Sequence, residues 1–127
     1  MMSEGSCSDA WEVEVTDQFL DWWTTLTDEQ REALTDRVEL LSEQGSNLGR
    51  PVVDRIHGSR HQSMKELRAS QGGALRVLFS FDPRRQAILL IGGDKSGAWN
   101  AWYEKAIPIA DDLYDEYLSE LREEGLI

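Results

Sequence analysis

Two arginines on either side of a predicted turn offer the clearest chemistry in this sequence. Arg68 ends one strand-like segment and Arg76 lies near the start of the next. If the hairpin is centred on Gly72, the two guanidinium groups lie opposite each other on one face of the sheet, which Glu66 shares. Opposed cations repel, so we expect an anion between them. That anion is either an internal carboxylate in an ordinary salt bridge, from Glu66, Asp82 or Asp94, or an external phosphate, whose oxygens guanidinium donors match in pairs.

Imidazole and ammonium groups add to the candidate residues. His57 and His61 lie in a predicted loop. They are candidates for general acids or bases because imidazole titrates near neutral pH, and the alternative is that they take no part in the chemistry. Lys95 follows the pair Gly92-Gly93, at a strand end of the kind where sites commonly form. Two loop histidines without a carboxylate at ligand spacing predict no metal site. The segment around Lys95 also lacks the spacing of a nucleotide-triphosphate loop.

Aromatic residues follow Lys95 closely. Trp99, Trp102 and Tyr103 have two interpretations: they stack on unpaired nucleobases beside the basic residues, or they pack in the core of a short helix. In the second case the hydroxyl of Tyr103 needs a polar partner. Both interpretations stay open at this point.

The charge is distributed unevenly along the 127 residues. The net charge is -11, but residues 50–105 carry 10 basic and 5 acidic side chains, whereas residues 1–49 carry 2 basic and 12 acidic ones. The middle segment therefore has room for a phosphate site, although the whole chain attracts a polyanion poorly. A solvated sheet face that balances acidic helices is the alternative.

Targeting and redox signals are few. The longest apolar run, Ala87 to Ile91, is too short to span a bilayer, and the first ten residues do not resemble a secretion signal. The single cysteine, Cys7, excludes an internal disulfide and a cysteine-based zinc cluster. We therefore expect a cytoplasmic protein without a membrane partner.

The elements that must position these residues begin after a predicted disordered leader over residues 1–10. A strand over Trp11–Val15 alternates apolar and acidic residues, and Thr16 can cap a short helix. A second helix begins with a capping box formed by Thr27 and Gln30, and Gly45 is its predicted end. Residues 11–127 are expected to form a single domain.

The second half predicts a three-stranded antiparallel meander. Residues 52–56 are extended, strands follow over 63–69, 75–81 and 86–91, and Gly92-Gly93 ends the last of them. A short helix over 99–106 and a terminal helix that begins at Pro108 complete the chain. The predicted fold class is α+β, with the helices on one face of a mainly antiparallel sheet.

These segments resemble the RelE/ParE toxin superfamily, and most closely its HigB-like, phage-derived branch. The resemblance covers residues 11–121, and its specific part runs from Lys65 to Lys95. The residues that carry it are Met64-Lys65-Glu66-Leu67-Arg68, Leu75-Arg76-Val77-Leu78-Phe79-Ser80-Phe81-Asp82, Ile88-Leu89-Leu90-Ile91-Gly92-Gly93-Asp94-Lys95 and Trp102-Tyr103.

The resemblance implies the toxin of a type II toxin–antitoxin pair that cleaves messenger RNA, usually on the ribosome, without a metal or cofactor. The implied reaction is attack of a ribose 2′-hydroxyl on the adjacent phosphate, with basic side chains stabilising the developing charge. The implied partner is a helix-turn-helix antitoxin. A ParE-like gyrase poison and a non-catalytic interaction module are the alternatives, and the oligomeric state stays open.

The resemblance also implies roles for individual residues. Arg76 matches an arginine that contacts the scissile phosphate, and Glu66 is either a base or a partner of Arg68. Superfamily nucleases often carry two lysines on the strand before the hairpin, and here Lys65 lies one residue out of phase. The predicted catalytic residues are Glu66, Arg68, Arg76, Lys95 and Tyr103, and the predicted RNA contacts are His61, Lys65 and Trp102.

Overall fold

The computed structural model describes residues 10–69, 74–94 and 99–127, with only the backbone described at Trp99. Three predictions therefore lie outside the described residues. They are the leader over residues 1–9 with Cys7, the turn at 71–73, and the placement of Lys95.

A five-stranded sheet forms the centre of the fold. Its strands are β1 (Glu12–Val15), β2 (Val53–Arg55), β3 (Lys65–Ala69), β4 (Leu75–Phe81) and β5 (Gln86–Asp94), and its helices are α1 (Asp17–Trp23), α2 (Asp28–Gln44) and α3 (Trp99–Glu123). The strand order is β1-β5-β4-β3-β2, with β1 parallel to β5 and every other pair antiparallel. The α+β class and the meander of β3, β4 and β5 are confirmed.

The predicted helix caps are present. The hydroxyl of Thr16 accepts from the backbone N–H of Phe19 at 3.0 Å, and Thr27 and Gln30 form the capping box at the start of α2. Gly45 caps the end of α2 with a φ of 53°, and a Cβ there would meet the ring of Trp11. Local sequence signals therefore determine where the first two helices begin and where the second one ends.

The prediction that all helices lie on one face of the sheet is wrong. Helices α1 and α2 cover one face through Phe19, Leu34 and Leu41, whereas α3 covers the other through Ala106, Ala110 and Leu113. The physical reason lies in β4 and β5, because each strand is buried on both sides and a sheet with two apolar faces needs two layers of cover. The face under α3 is also the one that carries Glu66 and the two arginines.

The prediction that Gly92-Gly93 ends the last strand is wrong. Strand β5 runs through the glycine pair to Asp94. A register shift between Leu78 and Phe79 leaves an extra residue in β5, which marks a β-bulge. A Cβ on Gly92 would meet the ring of Trp22, and a Cβ on Gly93 would lie 2.0 Å from Nε1 of Trp102. The glycines therefore let a tryptophan pack on each face, rather than stopping the strand.

The two predicted C-terminal helices are one continuous helix, α3, with Pro108 inside it. A proline inside a helix loses a backbone hydrogen bond and normally costs about 3 kcal/mol. Here Ala106 and Ala110 on either side of Pro108 are buried against the sheet while Pro108 itself is exposed, so tertiary packing outweighs that cost. None of the described helices combines the length and apolar character that a bilayer-spanning segment requires.

Candidate active site

A compact group of charged and phenolic side chains lies at the junction of β2, β3, β4 and α3. We call it the Glu66 cluster, and it consists of Asp54, Glu66, Arg68, Arg76 and Tyr103. Strand register builds it, because Arg68 lies opposite Arg76, and Asp54 lies opposite Glu66. The predicted pairing of the two arginines across the hairpin is therefore confirmed.

Glu66 occupies the centre of the cluster and is only 3% exposed. Arg68 donates through Nε to Oε2 of Glu66 at 2.8 Å, and the hydroxyl of Tyr103 donates to Oε1. Nε of Arg76 lies 3.9 Å from Oε1. Of the two anions expected between the arginines, the structure shows the internal carboxylate. The arginines converge, but on Glu66 rather than on an open cradle for phosphate.

The two arginines differ in how many of their guanidinium nitrogens have an acceptor. Arg68 lies between two carboxylates, since its Nη2 is 3.0 Å from Oδ2 of Asp54 and 2.8 Å from Oε2 of Glu66. Arg76 donates Nη1 to the carbonyl of its neighbour Leu75 at 2.8 Å, and its Nε is buried without a hydrogen-bond acceptor. A buried donor without an acceptor is costly, so Arg76 is the cation in this cluster with capacity for a further anionic oxygen.

These contacts shift the ionisation of the cluster. Burial lowers the pKa of Arg68, but Glu66 and Asp54 outweigh it and raise the pKa above its usual value. The backbone N–H of Arg55, aided by the charges of Arg50 and Arg68, holds the pKa of Asp54 below its usual range despite burial. Burial, followed by the hydrogen bond to Glu66, raises the pKa of Tyr103 to about 12. At neutral pH, Tyr103 is therefore a phenol that donates.

The loop that carries the histidines is attached to α3 instead. Nε2 of His61 lies 2.8 Å from Oδ1 of Asp115, and its ring packs edge-on against Tyr114 at 4.9 Å between centroids. Arg60 binds Asp112 and Asp115 from the same loop. His57 is exposed in this loop. The structure therefore places His61 against α3, in a hydrogen bond with Asp115 that involves no member of the Glu66 cluster.

The other predicted residues that the structure describes lie outside the cluster. Lys65 follows the alternation of β3 onto the opposite face, where its Nζ lies 5.5 Å from the ring centroid of Phe81. Trp102 packs over Gly93 and meets Tyr103 in a T-shaped contact at 5.0 Å, so its ring supports the start of α3. Asp82, another candidate partner for the arginines, binds Arg84 and Tyr117.

Asp54 is the member of the cluster that the sequence interpretation missed. An extended segment is predicted over 52–56 and the strand is shorter, Val53–Arg55, but its pairing with β3 is not visible in the sequence. Alternation in Val53-Asp54-Arg55 does put Asp54 on the opposite face from the buried Val53. Within the described ranges, no three histidine, cysteine, aspartate or glutamate residues are grouped to hold a metal ion.

Sequence comparison gives three matches. The family described as "Phage derived protein Gp49-like (DUF891)" matches residues 21–115. "Putative toxin HigB3" of Mycobacterium tuberculosis is 47% identical over 98 residues, which cover 77% of this chain and 85% of that protein. "Putative toxin HigB2" of the same organism is 45% identical over 104 residues, which cover 80% of this chain and 52% of that protein. The chain thus spans about half the length of the second relative.

Solved structures share the fold at low sequence identity. The E. coli toxin RelE in the free state, in a form with two arginines substituted, gives a TM-score of 0.57 at 14% identity over 78% of this chain and 96% of that one. RelE in the intact E. coli RelBE toxin–antitoxin complex gives 0.54 at 13% identity, covering 67% and 96%. The archaeal RelE–RelB complex from Pyrococcus horikoshii gives 0.52 at 16% identity, covering 70% and 99%.

The predicted resemblance is confirmed by these matches. The family match covers most of the α1 to α3 region, and both relatives are named as putative toxins. The chain belongs to the Gp49-like family of phage-derived proteins, is HigB-like in sequence and shares the fold of RelE.

Proposed function

We propose that this chain is the ribonuclease toxin of a type II toxin–antitoxin pair, and that it cleaves messenger RNA at the Glu66 cluster without a metal ion. The observation that carries the proposal is a buried carboxylate, Glu66, beside an arginine, Arg76, whose Nε has no hydrogen-bond acceptor. Cleavage by a ribose 2′-hydroxyl is helped by a base next to a cation, and here that cation has one donor without an acceptor.

Glu66 and Arg76 have separate roles in the proposed reaction. Glu66 takes the proton of the 2′-hydroxyl as the ribose oxygen forms a bond to the adjacent phosphorus. Arg76 stabilises the negative charge that grows on the non-bridging oxygens. The bond from phosphorus to the 5′-oxygen then breaks, and that oxygen takes a proton from solvent. The products are a 2′,3′-cyclic phosphate and a 5′-hydroxyl end.

The other members of the cluster act through Glu66. Arg68 is held by Asp54 and Glu66 together, so its proposed role moves from contact with the phosphate to positioning of the carboxylate. Tyr103 holds the second oxygen of Glu66 from the start of α3. Lys95, by its match to the family, is proposed as a further cation at the phosphate.

The proposed partners are an antitoxin, messenger RNA and the ribosome, in a cytoplasmic setting. RelE, the toxin that shares this fold, has been solved together with RelB, which supports an antitoxin for this chain. We propose that the antitoxin is a helix-turn-helix protein and that residues 11–127 form one toxin domain.

Charge balance within the cluster favours a second candidate function. Asp54 and Glu66 offset the charges of Arg68 and Arg76, so the cluster as a whole adds no net positive charge. A surface of this kind fits a toxin that acts by binding a protein, as a ParE-like gyrase poison does. Such a toxin would cause DNA damage and leave transcripts intact.

The experiment that separates the two candidates is induced expression followed by mapping of transcript 5′ ends. RNA cleavage predicts new 5′-hydroxyl ends within minutes, before any DNA-damage response. Growth arrest with intact transcripts and DNA breaks would replace the ribonuclease proposal with the protein-binding one. Glu116→Gln, on an exposed part of α3, is the matched control for a change of carboxylate to amide at Glu66.

A further inference from the structure

An apolar groove of about 260 Å³ lies on the face of the fold opposite the Glu66 cluster. It runs between the edge strand β1 and helices α1 and α2. The apolar residues that line it are Val13, Val15, Phe19, Leu20, Trp23, Val38 and Leu89. Val15 is 38% exposed and Leu20 is 46% exposed, so part of this lining faces solvent. Apolar lining of this extent is typical of sites that take an apolar side chain from a partner.

An acidic ridge borders this groove along α2. It consists of Glu29, Glu32, Asp36, Glu39 and Glu43, which follow one another at alternating steps of three and four residues and are all exposed. This spacing places the five carboxylates on one side of the helix. Glu39 itself lines the groove. The ridge is about 21 Å long at the helical rise per residue.

Few basic residues offset this ridge. Within α2 only Arg31 and Arg37 are basic, and Arg31 lies by the ring of Trp23 and by Asp28. The ridge thus presents a row of negative charge beside an apolar groove. A complementary ligand must carry a row of positive charge beside an apolar stripe, at the same helical spacing.

We propose that this groove and ridge bind a basic amphipathic helix of a partner protein. Its apolar stripe would fill the groove at Val15 and Leu20, and its lysines or arginines would face the acidic ridge. The binding surface is inferred from the structure alone. Only the identity of the partner rests on the proposed function, because in a toxin–antitoxin pair the antitoxin would supply the helix. Binding here leaves the face under α3, with Glu66 and Arg76, uncovered.

The test uses the full chain and a synthetic peptide of about 18 residues, with lysines and leucines on adjacent helical stripes. A peptide of the same length with glutamate in place of lysine is the control ligand. Calorimetry measures affinity, and backbone amide NMR shifts locate the contact. We expect the basic peptide to bind, with shifts concentrated at Val15, Leu20, Trp23 and Val38, and the acidic peptide not to bind.

Two pairs of variants make the outcome specific. The double variant Asp36→Lys/Glu39→Lys should weaken binding at least about tenfold, whereas Glu120→Lys/Glu123→Lys, on exposed α3 positions with the same spacing, should change it less than about twofold. Leu20→Ser should weaken binding, and Leu126→Ser, at an equally exposed leucine, should not. Circular dichroism confirms that each variant is folded.

Several results would overturn the proposal. Equal weakening by both charge-reversal pairs, or shifts spread over all acidic surfaces, would mean non-specific attraction to a negative protein. Dimers that dissociate on Leu20→Ser would mean that a second copy of the chain occupies the groove. Because every readout is binding, these results are independent of whether the chain cleaves RNA.

Discussion

The hydroxyl of Tyr103, in the second turn of α3, donates to Oε1 of Glu66 on β3. This hydrogen bond joins the helix on one face of the sheet to the strand that precedes the hairpin. Because Glu66 is buried, its carboxylate oxygens need hydrogen-bond donors from the protein in place of water. The same contact links the stability of the fold to the protonation of Tyr103.

Replacing Tyr103 with phenylalanine tests that link through pH. The folded-state pKa of Tyr103, about 12, lies above its usual value of 10.0, so the contact contributes stability that is fully present below pH 10 and is lost as the pH rises toward 12. We expect the wild type to be more stable than Tyr103→Phe at pH 9, and the difference to shrink at pH 11. Urea unfolding at both values measures it.

The matched control is Tyr114→Phe, which removes a hydroxyl bound to the backbone carbonyl of Phe81 rather than to a carboxylate. The stability difference between the wild type and each variant is measured at pH 9 and at pH 11. If this difference changes with pH no more for Tyr103→Phe than for Tyr114→Phe, the assigned coupling between Tyr103 and Glu66 is wrong. Tyr117 has a pKa that is also raised by burial and by its hydrogen bond to Asp82. Because Tyr117 is present in the wild type and in both variants, its contribution cancels when each variant is compared with the wild type at the same pH.

Substituting the two arginines of the cluster is expected to have different effects, on stability for Arg68 and on cleavage for Arg76. Arg68→Ala leaves Glu66 buried beside an unoccupied position, which costs about 3 kcal/mol of unfolding free energy. Arg76→Ala removes a longer contact, 3.9 Å from Glu66 and without a hydrogen bond, so it is expected to cost less unfolding free energy than Arg68→Ala while removing most of the cleavage activity. Thermal or urea unfolding measures the first effect, and RNA cleavage measures the second.

Arg55→Ala, at an exposed position on β2, is the control for both arginine variants. The role of Arg68 in positioning Glu66 and the role of Arg76 in cleavage would both be contradicted if Arg76→Ala unfolded the protein and Arg68→Ala stayed folded but lost cleavage. Adding Glu66→Gln to Arg68→Ala should recover part of the stability, because the buried charge is then gone.

Packing at the glycine pair gives a prediction about stability alone. A Cβ on Gly93 would lie 2.0 Å from Nε1 of Trp102, so Gly93→Ala should displace that ring and destabilise the fold by about 2 kcal/mol. At Gly49 a Cβ meets nothing within 4 Å, and Gly49→Ala should be nearly neutral. Chemical denaturation of both variants provides the comparison, and equal effects would refute the packing of Trp102 on β5.

Local patterns in the sequence were sufficient for much of this fold. The capping box at Thr27 and the alternation that predicts strands over 63–69 and 75–81 depend on neighbours a few residues apart. The capping box is present, and the strands run over Lys65–Ala69 and Leu75–Phe81. The placement of α3 on the second face was not predicted, because it depends on the burial of β4 and β5 from both sides. The helix across Pro108 was missed for a related reason, since packing at Ala106 and Ala110 outweighs a local helix-breaking signal.

The candidate site was predicted in part for the same reasons. Hairpin register brought Arg68, Arg76 and Glu66 together on one face, as alternation required. Tyr103 joined them only through the long-range docking of α3, and its role came from the family resemblance. Asp54 was missed because a single sequence does not show which edge strand pairs with β3.

The most direct test of the ribonuclease proposal is the cleavage rate of a synthetic messenger RNA, free and ribosome-bound, by the purified wild type and by Glu66→Gln. We predict that the folded Glu66→Gln protein is slower by at least about 100-fold, and that the wild type leaves 2′,3′-cyclic phosphate and 5′-hydroxyl ends. Cleavage by Glu66→Gln at the rate of the wild type and of the Glu116→Gln control would contradict the role of Glu66 as the base.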